Sequence, residues 1–137
     1  MGLTNQGIAG EQKLKQYLME RNIRFFQPDG IGLDEENYIL YEVKNLTEPF
    51  RPPPFYGHGL FKYQIEARLG FQKKTGIRVK FIVFNEKDNL IHSAWLDELE
   101  KGEHFDTNKG IRIYPIENFV MEKLAKGWSP YRTVASR

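Results

Sequence analysis

The sequence contains no cysteine, and this absence excludes two kinds of structure. Disulfide bonds and thiolate metal sites both need thiols, so a chain of 137 residues must rely on an apolar core for its stability. The length predicts one domain over residues 1–137. A reducing setting inside the cell, the cytoplasm, is the expected localisation.

Long apolar runs and phosphate-binding loops are missing as well. No stretch approaches the length of a membrane-spanning helix, and the N-terminal segment lacks the apolar core of a secretion signal. "DGIGLD" at residues 29–34 lacks the lysine of a P-loop and the spacing of a dinucleotide site. We therefore expect neither a membrane nor a nucleotide cofactor as a partner. The net charge of +2 permits nucleic acid binding without demanding it.

Hydrophobic periodicity predicts an α/β domain with a mixed central sheet flanked by helices. The predicted helices are residues 6–20, 60–74, 95–101 and 116–126, and the predicted strands are residues 23–27, 30–33, 38–45, 78–84, 90–94 and 111–114. The proline-rich residues 46–59 are expected to form a stiff, extended connection. Pro115 is expected to open the last helix, because proline favours the first helical position.

The strand predicted at residues 38–45 ends in two opposite charges. Side chains alternate along a strand, so Glu42 and Lys44 share a face with Tyr38 and Leu40. Both faces of this strand are mostly apolar, which is typical of a strand covered on both sides. The charges either lie at a solvated strand end or serve a site.

Asp29 offers a reason for these charges. Residues 30–33 and 38–45 predict a hairpin around the turn 34–37, and Asp29 and Glu42 would then lie toward the same end of it. Two neighbouring carboxylates repel unless a cation lies between them, and Mg²⁺ or Mn²⁺ suits such oxygen donors. The alternative is that Asp29 is a turn residue after Pro28.

Two further polar residues fall within apolar stripes of predicted helices. The stripes are Gly7, Glu11, Leu14 and Leu18 in the first helix, and Leu60, Gln64, Ala67 and Phe71 in the second. Glu11 is therefore expected to face the sheet, unless it is a boundary residue with a solvated carboxylate. Gln64 either serves the site or satisfies buried backbone groups.

These residues together resemble the signature of the PD-(D/E)xK nuclease superfamily. Pro28-Asp29 supplies "PD" and Glu42-Val43-Lys44 supplies "EVK", and Glu42 is 13 positions after Asp29. That separation is similar to the spacing in archaeal-type Holliday-junction resolvases and virus-type replication-repair nucleases. An acidic residue on the first helix and a glutamine on the next one also fit. The resemblance covers about residues 7–100, and residues 101–137 are expected to add a C-terminal strand, a helix and a tail.

The resemblance implies a magnesium-dependent DNA endonuclease that hydrolyses phosphodiester bonds, with Holliday junctions or other branched DNA as candidate substrates. Asp29, Glu42 and the carbonyl of Val43 would bind Mg²⁺ or Mn²⁺, with Glu11 as an outer or second-metal ligand. Lys44 would orient or deprotonate the attacking water or neutralise developing charge, and Gln64 would position the water or Lys44.

Candidate nucleic-acid contacts lie around the second helix. Arg51 and Tyr56 belong to the stiff connection, which could gate the site, contact DNA or contact a second copy of the chain. Lys62 and Arg68 belong to a basic cluster with Lys73, Lys74, Arg78 and Lys80, which could follow a phosphate backbone, although such clusters are often only solvated faces. His58 is close enough to assist proton transfer, but a surface position is the expectation.

Two other functions remain open at this point. The chain could be a catalytically inactive nuclease-fold module that binds nucleic acid or a protein partner, or a structural domain in which these polar residues are solvated. Partnership with DNA and a homodimer are expected from the resemblance. His92 and His104 show no ligand spacing, so no zinc site is predicted.

Overall fold

The computed structural model of the chain describes residues 5–21, 24–26, 31–34, 37–46, 56–85 and 89–124. The side chains of residues 5–9, 11, 24–26, 31–34 and 46 lie outside this description.

Helices and strands follow one another along the chain in the manner of an α/β protein. The helices are α1 (Asn5–Glu20), α2 (Lys62–Thr75) and α3 (Leu96–Lys101), with a turn of 3₁₀ helix at Ile116–Asn118. The strands are β1 (Arg24–Phe26), β2 (Ile31–Asp34), β3 (Asn37–Leu46), β4 (Gly57–Phe61), β5 (Arg78–Asn85), β6 (Leu90–Trp95), β7 (Phe105–Asp106), β8 (Ile111–Pro115) and β9 (Val120–Lys123). Within the described ranges, no helix has the length and apolar character needed to span a membrane.

Six strands form a mixed central sheet in the order β1-β2-β3-β5-β6-β9. The central strands β3 and β5 run parallel, and every other neighbouring pair is antiparallel. A smaller antiparallel sheet has the order β4-β8-β7. The predicted fold class, a mixed central sheet flanked by helices, is confirmed.

The central sheet is covered on both faces, as the apolar character of its strands predicts. Along β5, Phe81 and Val83 pack with α2, α3 and the smaller sheet, while Ile82 and Phe84 pack with α1. The same alternation in β3 places Leu40 on the α2 side and residues 39 and 41 on the α1 side. The even-numbered residues of β3 therefore point toward α2.

The predicted hairpin is present in the described part of the chain. Ile31 of β2 lies across from Leu40 of β3, and Asp34 lies across from Asn37. This pairing fixes which residues of β3 face α2. Asp29 and the turn residues 35 and 36 lie outside the described residues.

The predicted last helix, residues 116–126, is wrong. A 3₁₀ turn at Ile116–Asn118 leads into strand β9, which pairs with β6 from Ser93↔Val120 to Leu90↔Lys123. The sequence contains good helix formers here, but pairing with the sheet edge and burial of Phe119 outweigh their weak local preference. Residues 116–124 therefore form a 3₁₀ turn and a strand rather than the predicted helix.

The prediction of a stiff, extended connection over residues 46–59 is also wrong in its last part, because residues 57–61 form strand β4. Gly57 lies across from Pro115 of β8, and a Cβ atom at Gly57 would lie 1.7 Å from the carbonyl oxygen of Tyr114. Glycine is needed here because the two backbones approach too closely for any side chain. The prolines themselves, residues 52–54, lie outside the described residues.

The prediction of an apolar stripe on the second helix is wrong as well, because the helix begins two residues later than predicted. Leu60 belongs to β4, since α2 begins at Lys62. The buried residue of α2 is Ile65, whereas Ala67 is exposed. In α1, by contrast, Leu14 and Leu18 are buried as predicted.

Candidate active site

Glu42 lies near the end of β3, on the face that α2 covers. Its side chain is only 12% exposed. Arg68 of α2 donates a hydrogen bond from Nε to Oε1 of Glu42 at 3.1 Å. A carboxylate with so little access to water needs a compensating charge, and the Arg68 guanidinium supplies it.

Lys44 follows Glu42 on the same face of β3. It pairs with Val83 of β5, as Glu42 pairs with Phe81, and its side chain is half-buried. Within the described residues, no hydrogen bond or ion pair engages the Lys44 ammonium group. A carboxylate and an ammonium group therefore lie next to each other near the carboxyl end of the central strand.

Residues 28 and 29, the predicted "PD" pair, lie outside the described residues. The described pairing between β2 and β3 ends at Leu40, two residues before Glu42. The expectation that Asp29 and Glu42 lie close together stays a prediction.

The amino-terminal half of α1 lies against the end of β3, on the face opposite Glu42. A Cβ atom at Gly10 would lie 3.2 Å from the Asn45 Cβ atom, so the close packing favours glycine there. Lys13 Nζ donates to Asn45 Oδ1 at 2.6 Å. The backbone of Glu11 is therefore close to the end of β3, although its side chain lies outside the description. Val43 lies on the α1 face.

Gln64 contacts its own helix rather than the β3 charges. Its Oε1 accepts a hydrogen bond from the Phe61 backbone N–H at 3.1 Å, which satisfies a donor at the start of α2. The glutamine that satisfies buried backbone is Gln72, whose Oε1 accepts from the Val79 N–H at 3.3 Å and whose Nε2 donates to Asp97 at 3.0 Å. The amide nitrogen of Gln64 can still donate to a ligand.

The four predicted nucleic-acid contacts lie in different settings. Arg68 binds Glu42, and Lys62 Nζ lies 3.9 Å from an Asp106 oxygen. Tyr56 is exposed at the start of β4. Arg51 lies outside the described residues.

The rest of the basic cluster is partly neutralised. Arg78 donates to Asp97 at 2.7 Å and lies over the ring of Trp95 at 4.2 Å. Its guanidinium lowers the pKa of the Asp97 carboxyl group. Lys73 and Lys74, in the last turn of α2, are exposed.

His58 is completely buried, so the expectation of a surface histidine is wrong. Its Nε2 lies 3.1 Å from Nδ1 of His92, and the Phe119 ring packs at 5.3 Å from its own. Desolvation, together with the neighbouring His92, lowers the pKa of His58 to about 3. Desolvation also lowers the pKa of His92. The sequence carries no signal for this pair, since it forms only when β4 packs against β6.

The fold that carries Glu42 and Lys44 is restriction-endonuclease-like. Among solved structures, the chain is similar to Hjc, a Holliday junction resolvase from the archaeal hyperthermophile Archaeoglobus fulgidus. The match covers 79% of this chain and 88% of that chain, with a TM-score of 0.55 and 17% sequence identity. No protein-family model and no curated protein sequence matches the chain. Identity this low shows a shared fold and leaves the activity to be argued from the site.

Proposed function

We propose that this protein is a metal-dependent DNA endonuclease of the PD-(D/E)xK type that hydrolyses phosphodiester bonds, with Holliday junctions or other branched DNA as substrates. One observation carries the proposal. Glu42 and Lys44 lie on one face of β3, with Glu42 shielded from water and bound by a cationic side chain. Hjc, which has a similar fold, is named for its action on Holliday junctions.

The hairpin register supports a role for Asp29. In an antiparallel pair, each step along one strand is matched by a step in the opposite direction along its partner. Ile31 lies across from Leu40, so two further steps of the same pairing would set position 29 across from Glu42. Residues directly across from each other share a face of the sheet. The proposal requires the Asp29 and Glu42 carboxylates to meet in this way.

The donor set fits a hard divalent cation. Asp29, Glu42 and the carbonyl of Val43 would hold Mg²⁺ or Mn²⁺, with Glu11 as a further ligand, and all four supply oxygen atoms. The Glu42 carboxylate, which is largely shielded from water, would exchange its ion pair with Arg68 for the metal ion. When bound there, the metal would polarise the scissile phosphate and lower the pKa of a bound water.

The side chains around Glu42 would perform the remaining tasks. Lys44 would neutralise charge that develops on the phosphate or take a proton from the attacking water. Arg68 would orient Glu42 and could bind a phosphate oxygen through its remaining N–H groups. Gln64 would position the water or Lys44 with its amide nitrogen. Arg51, Tyr56 and Lys62 would contact the DNA backbone. In a homodimer, two such sites would act on opposed strands.

A second candidate is a nuclease-fold module that binds nucleic acid or a protein partner without cutting. The Arg68–Glu42 ion pair favours it, because Arg68 already neutralises the carboxylate that a metal would need. Calorimetry with Mn²⁺ separates the two candidates. The endonuclease binds Mn²⁺ at millimolar concentration or below, whereas the binding module does not.

The direct test is a cleavage assay on four-way junction, flap, duplex and single-stranded DNA, with Mg²⁺ or with EDTA. The proposal predicts Mg²⁺-dependent cleavage with a preference for branched DNA. It also predicts that Asp29→Asn and Lys44→Met each lower the rate at least about a hundredfold, a typical loss for groups that act on the reacting atoms. Absence of cleavage by the parent protein in both Mg²⁺ and Mn²⁺ would refute the proposal.

A further inference from the structure

Two aromatic rings stack on each other at the start of α2, on the surface of the protein. The centroids of Phe61 and Tyr63 lie 5.5 Å apart, with 19° between the ring planes. The two side chains are 39% and 68% exposed. Aromatic side chains usually bury their faces, and a stacked pair that stays open to water offers a flat surface to a further ring.

The backbone that carries this pair is held in place. Phe61 is the last residue of β4 and lies across from Ile111 of β8. The Lys62 N–H donates to the Gly110 carbonyl at 2.9 Å, and Gln64 accepts from the Phe61 N–H. A ring that stacked here would therefore meet a pre-organised surface, which lowers the entropic cost of binding.

The charge around the pair favours an anionic ligand. The first turn of α2 contains no acidic residue, and Lys62 separates the two aromatic residues in the sequence. Two acids lie near the pair: Asp106, 3.9 Å from the Lys62 ammonium group, and the exposed Glu66, three residues after Tyr63 on α2. Arg112 also binds Asp106 through a hydrogen bond of 2.8 Å and lowers its pKa, so Asp106 is shared between two cations. Along α2 the basic residues Lys62, Arg68, Lys73 and Lys74 outnumber the single acid Glu66. An aromatic surface beside such positive charge is the usual platform for the bases and phosphates of unpaired nucleic acid.

The pair also lies at the start of the helix that reaches the proposed catalytic carboxylate. Gln64 and Arg68 are four residues apart, so they lie along one side of α2, and Phe61 directly precedes the helix. Arg68 reaches Glu42. The six steps from Lys62 to Arg68 rise about 9 Å along the helix, which is close to the rise of about three stacked nucleotides in one DNA strand.

We propose that Phe61 and Tyr63 form a stacking platform for an unpaired base a few nucleotides from the scissile phosphate. This rests on the proposed nuclease function and deepens it, because it names the substrate class as nucleic acid with unpaired bases beside the cut. In a continuous duplex every base is already stacked and paired, and extruding one costs free energy. The platform therefore favours single strands, flaps and junctions that open at the branch point over intact duplex.

The test measures base stacking without cleavage. Oligonucleotides that carry 2-aminopurine as an unpaired base are titrated with protein in EDTA, and quenching of the fluorescence reports stacking on the rings. The proposal predicts quenching by the parent protein and by Tyr63→Phe. It predicts loss of quenching and about tenfold weaker binding for Tyr63→Ser, because base stacking on an aromatic ring contributes substantially to single-strand affinity. Tyr38→Ser, at another exposed tyrosine, serves as the matched control and should bind as the parent does.

The outcomes separate this inference from the nuclease proposal. If Tyr63→Ser quenches and binds like the parent while the parent cuts DNA, the platform is refuted and the nuclease stands. If the parent quenches but cuts no DNA, the platform stands and the nuclease is refuted. If Tyr63→Ser changes only the molecular mass in solution and leaves quenching intact, the rings form a contact between copies and the platform is refuted.

Discussion

At the scale of single residues, the ion pair between Arg68 and Glu42 decides how the proposed site behaves without a metal. Glu42 is largely shielded from water, so its ionised form needs a partner. A guanidinium and a metal ion would compete for the same negative charge. Arg68 therefore stabilises the folded site and would oppose metal binding there.

This competition predicts the effect of Arg68→Met on metal affinity. Removing the guanidinium should tighten Mn²⁺ binding by up to about fivefold, because a partly exposed ion pair contributes up to about 1 kcal/mol. Calorimetry measures the change, and Lys73→Met, which removes one exposed charge from the same helix, is the control. Weaker Mn²⁺ binding by Arg68→Met than by the control would contradict the assignment of Glu42 as a ligand.

The buried histidine pair makes a different prediction, which concerns stability. His58 has a pKa of about 3 in the folded protein, well below the ordinary value near 6.5 that applies to the unfolded chain. Below pH 6.5 His58 binds a proton in the unfolded chain but stays neutral in the folded protein until the pH approaches 3. The contribution of the neutral pair is therefore complete above pH 6.5 and is lost as the pH falls toward 3.

Urea unfolding at pH 7.5, 6.5 and 5.0 measures this loss. The parent should lose up to about 1.4 kcal/mol of unfolding free energy per pH unit below 6.5 through His58, because this is the value of one pKa unit. His58→Gln should lower stability at pH 7.5 and keep only the part of the slope that His92 contributes, and His104→Gln, at an exposed histidine, should keep the full slope. Equal slopes for the parent and His58→Gln would show that His58 takes up its proton in the folded state.

At the scale of secondary structure elements, segments with a periodic apolar pattern could be predicted, whereas β4 and β9, which depend on pairing with distant strands, could not. The alternation in β3 correctly indicated a strand covered on both sides, and α1, β5, β6 and α3 were predicted close to their observed bounds. β4 was missed because "GHGLF" has little strand propensity and is held by pairing with β8. β9 was predicted as a helix because pairing with β6 is invisible to local propensity.

The same limit applies to the candidate site. Alternation alone placed Glu42 and Lys44 on one face of a strand. The contact between Arg68 and Glu42 depends on how α2 crosses the sheet, and it joins residues 26 positions apart. No local pattern contains that information.

Alanine substitutions at two glycines, one in strand β4 and one in helix α2, should have opposite effects on stability. Gly57→Ala in β4 should lower the unfolding free energy by at least about 3 kcal/mol, because the new Cβ would meet the Tyr114 carbonyl oxygen at 1.7 Å. Gly70→Ala in α2 has nothing within 4 Å of the new Cβ and should raise it by about 0.5–1 kcal/mol. Chemical denaturation measures both. Comparable effects of the two substitutions would contradict the strand at residues 57–61.

At the scale of the whole molecule, α3 links the two sheets. Leu96 and Leu99 of α3 pack in the core between them. Glu100 of α3 accepts hydrogen bonds from Arg112 and Tyr114 of β8, each at 2.8 Å. Burial and the bond to Glu100 raise the pKa of Tyr114, so this tyrosine stays a donor over the usual pH range. The smaller sheet, which leads into α2, is thus fixed relative to the strand that carries Glu42.

This arrangement connects the proposed cleavage site to the proposed substrate platform. α2 begins at the smaller sheet with the exposed aromatic pair and carries Arg68 to Glu42 on the central sheet. DNA that followed α2 would contact the proposed platform and the proposed catalytic carboxylate in one binding mode. Metal dependence and branched-DNA preference would then come from two parts of one helix.

The most direct test of the account is single-turnover cleavage of a labelled four-way junction by Glu42→Gln in Mg²⁺. Glutamine keeps the size of the side chain but removes the charge that would bind the metal, so the rate should fall at least about a hundredfold. Glu66→Gln, at an exposed glutamate of α2, is the matched control and should cut like the parent. If Glu42→Gln cuts the junction as fast as the parent protein, Glu42 holds no catalytic metal and the central claim is wrong.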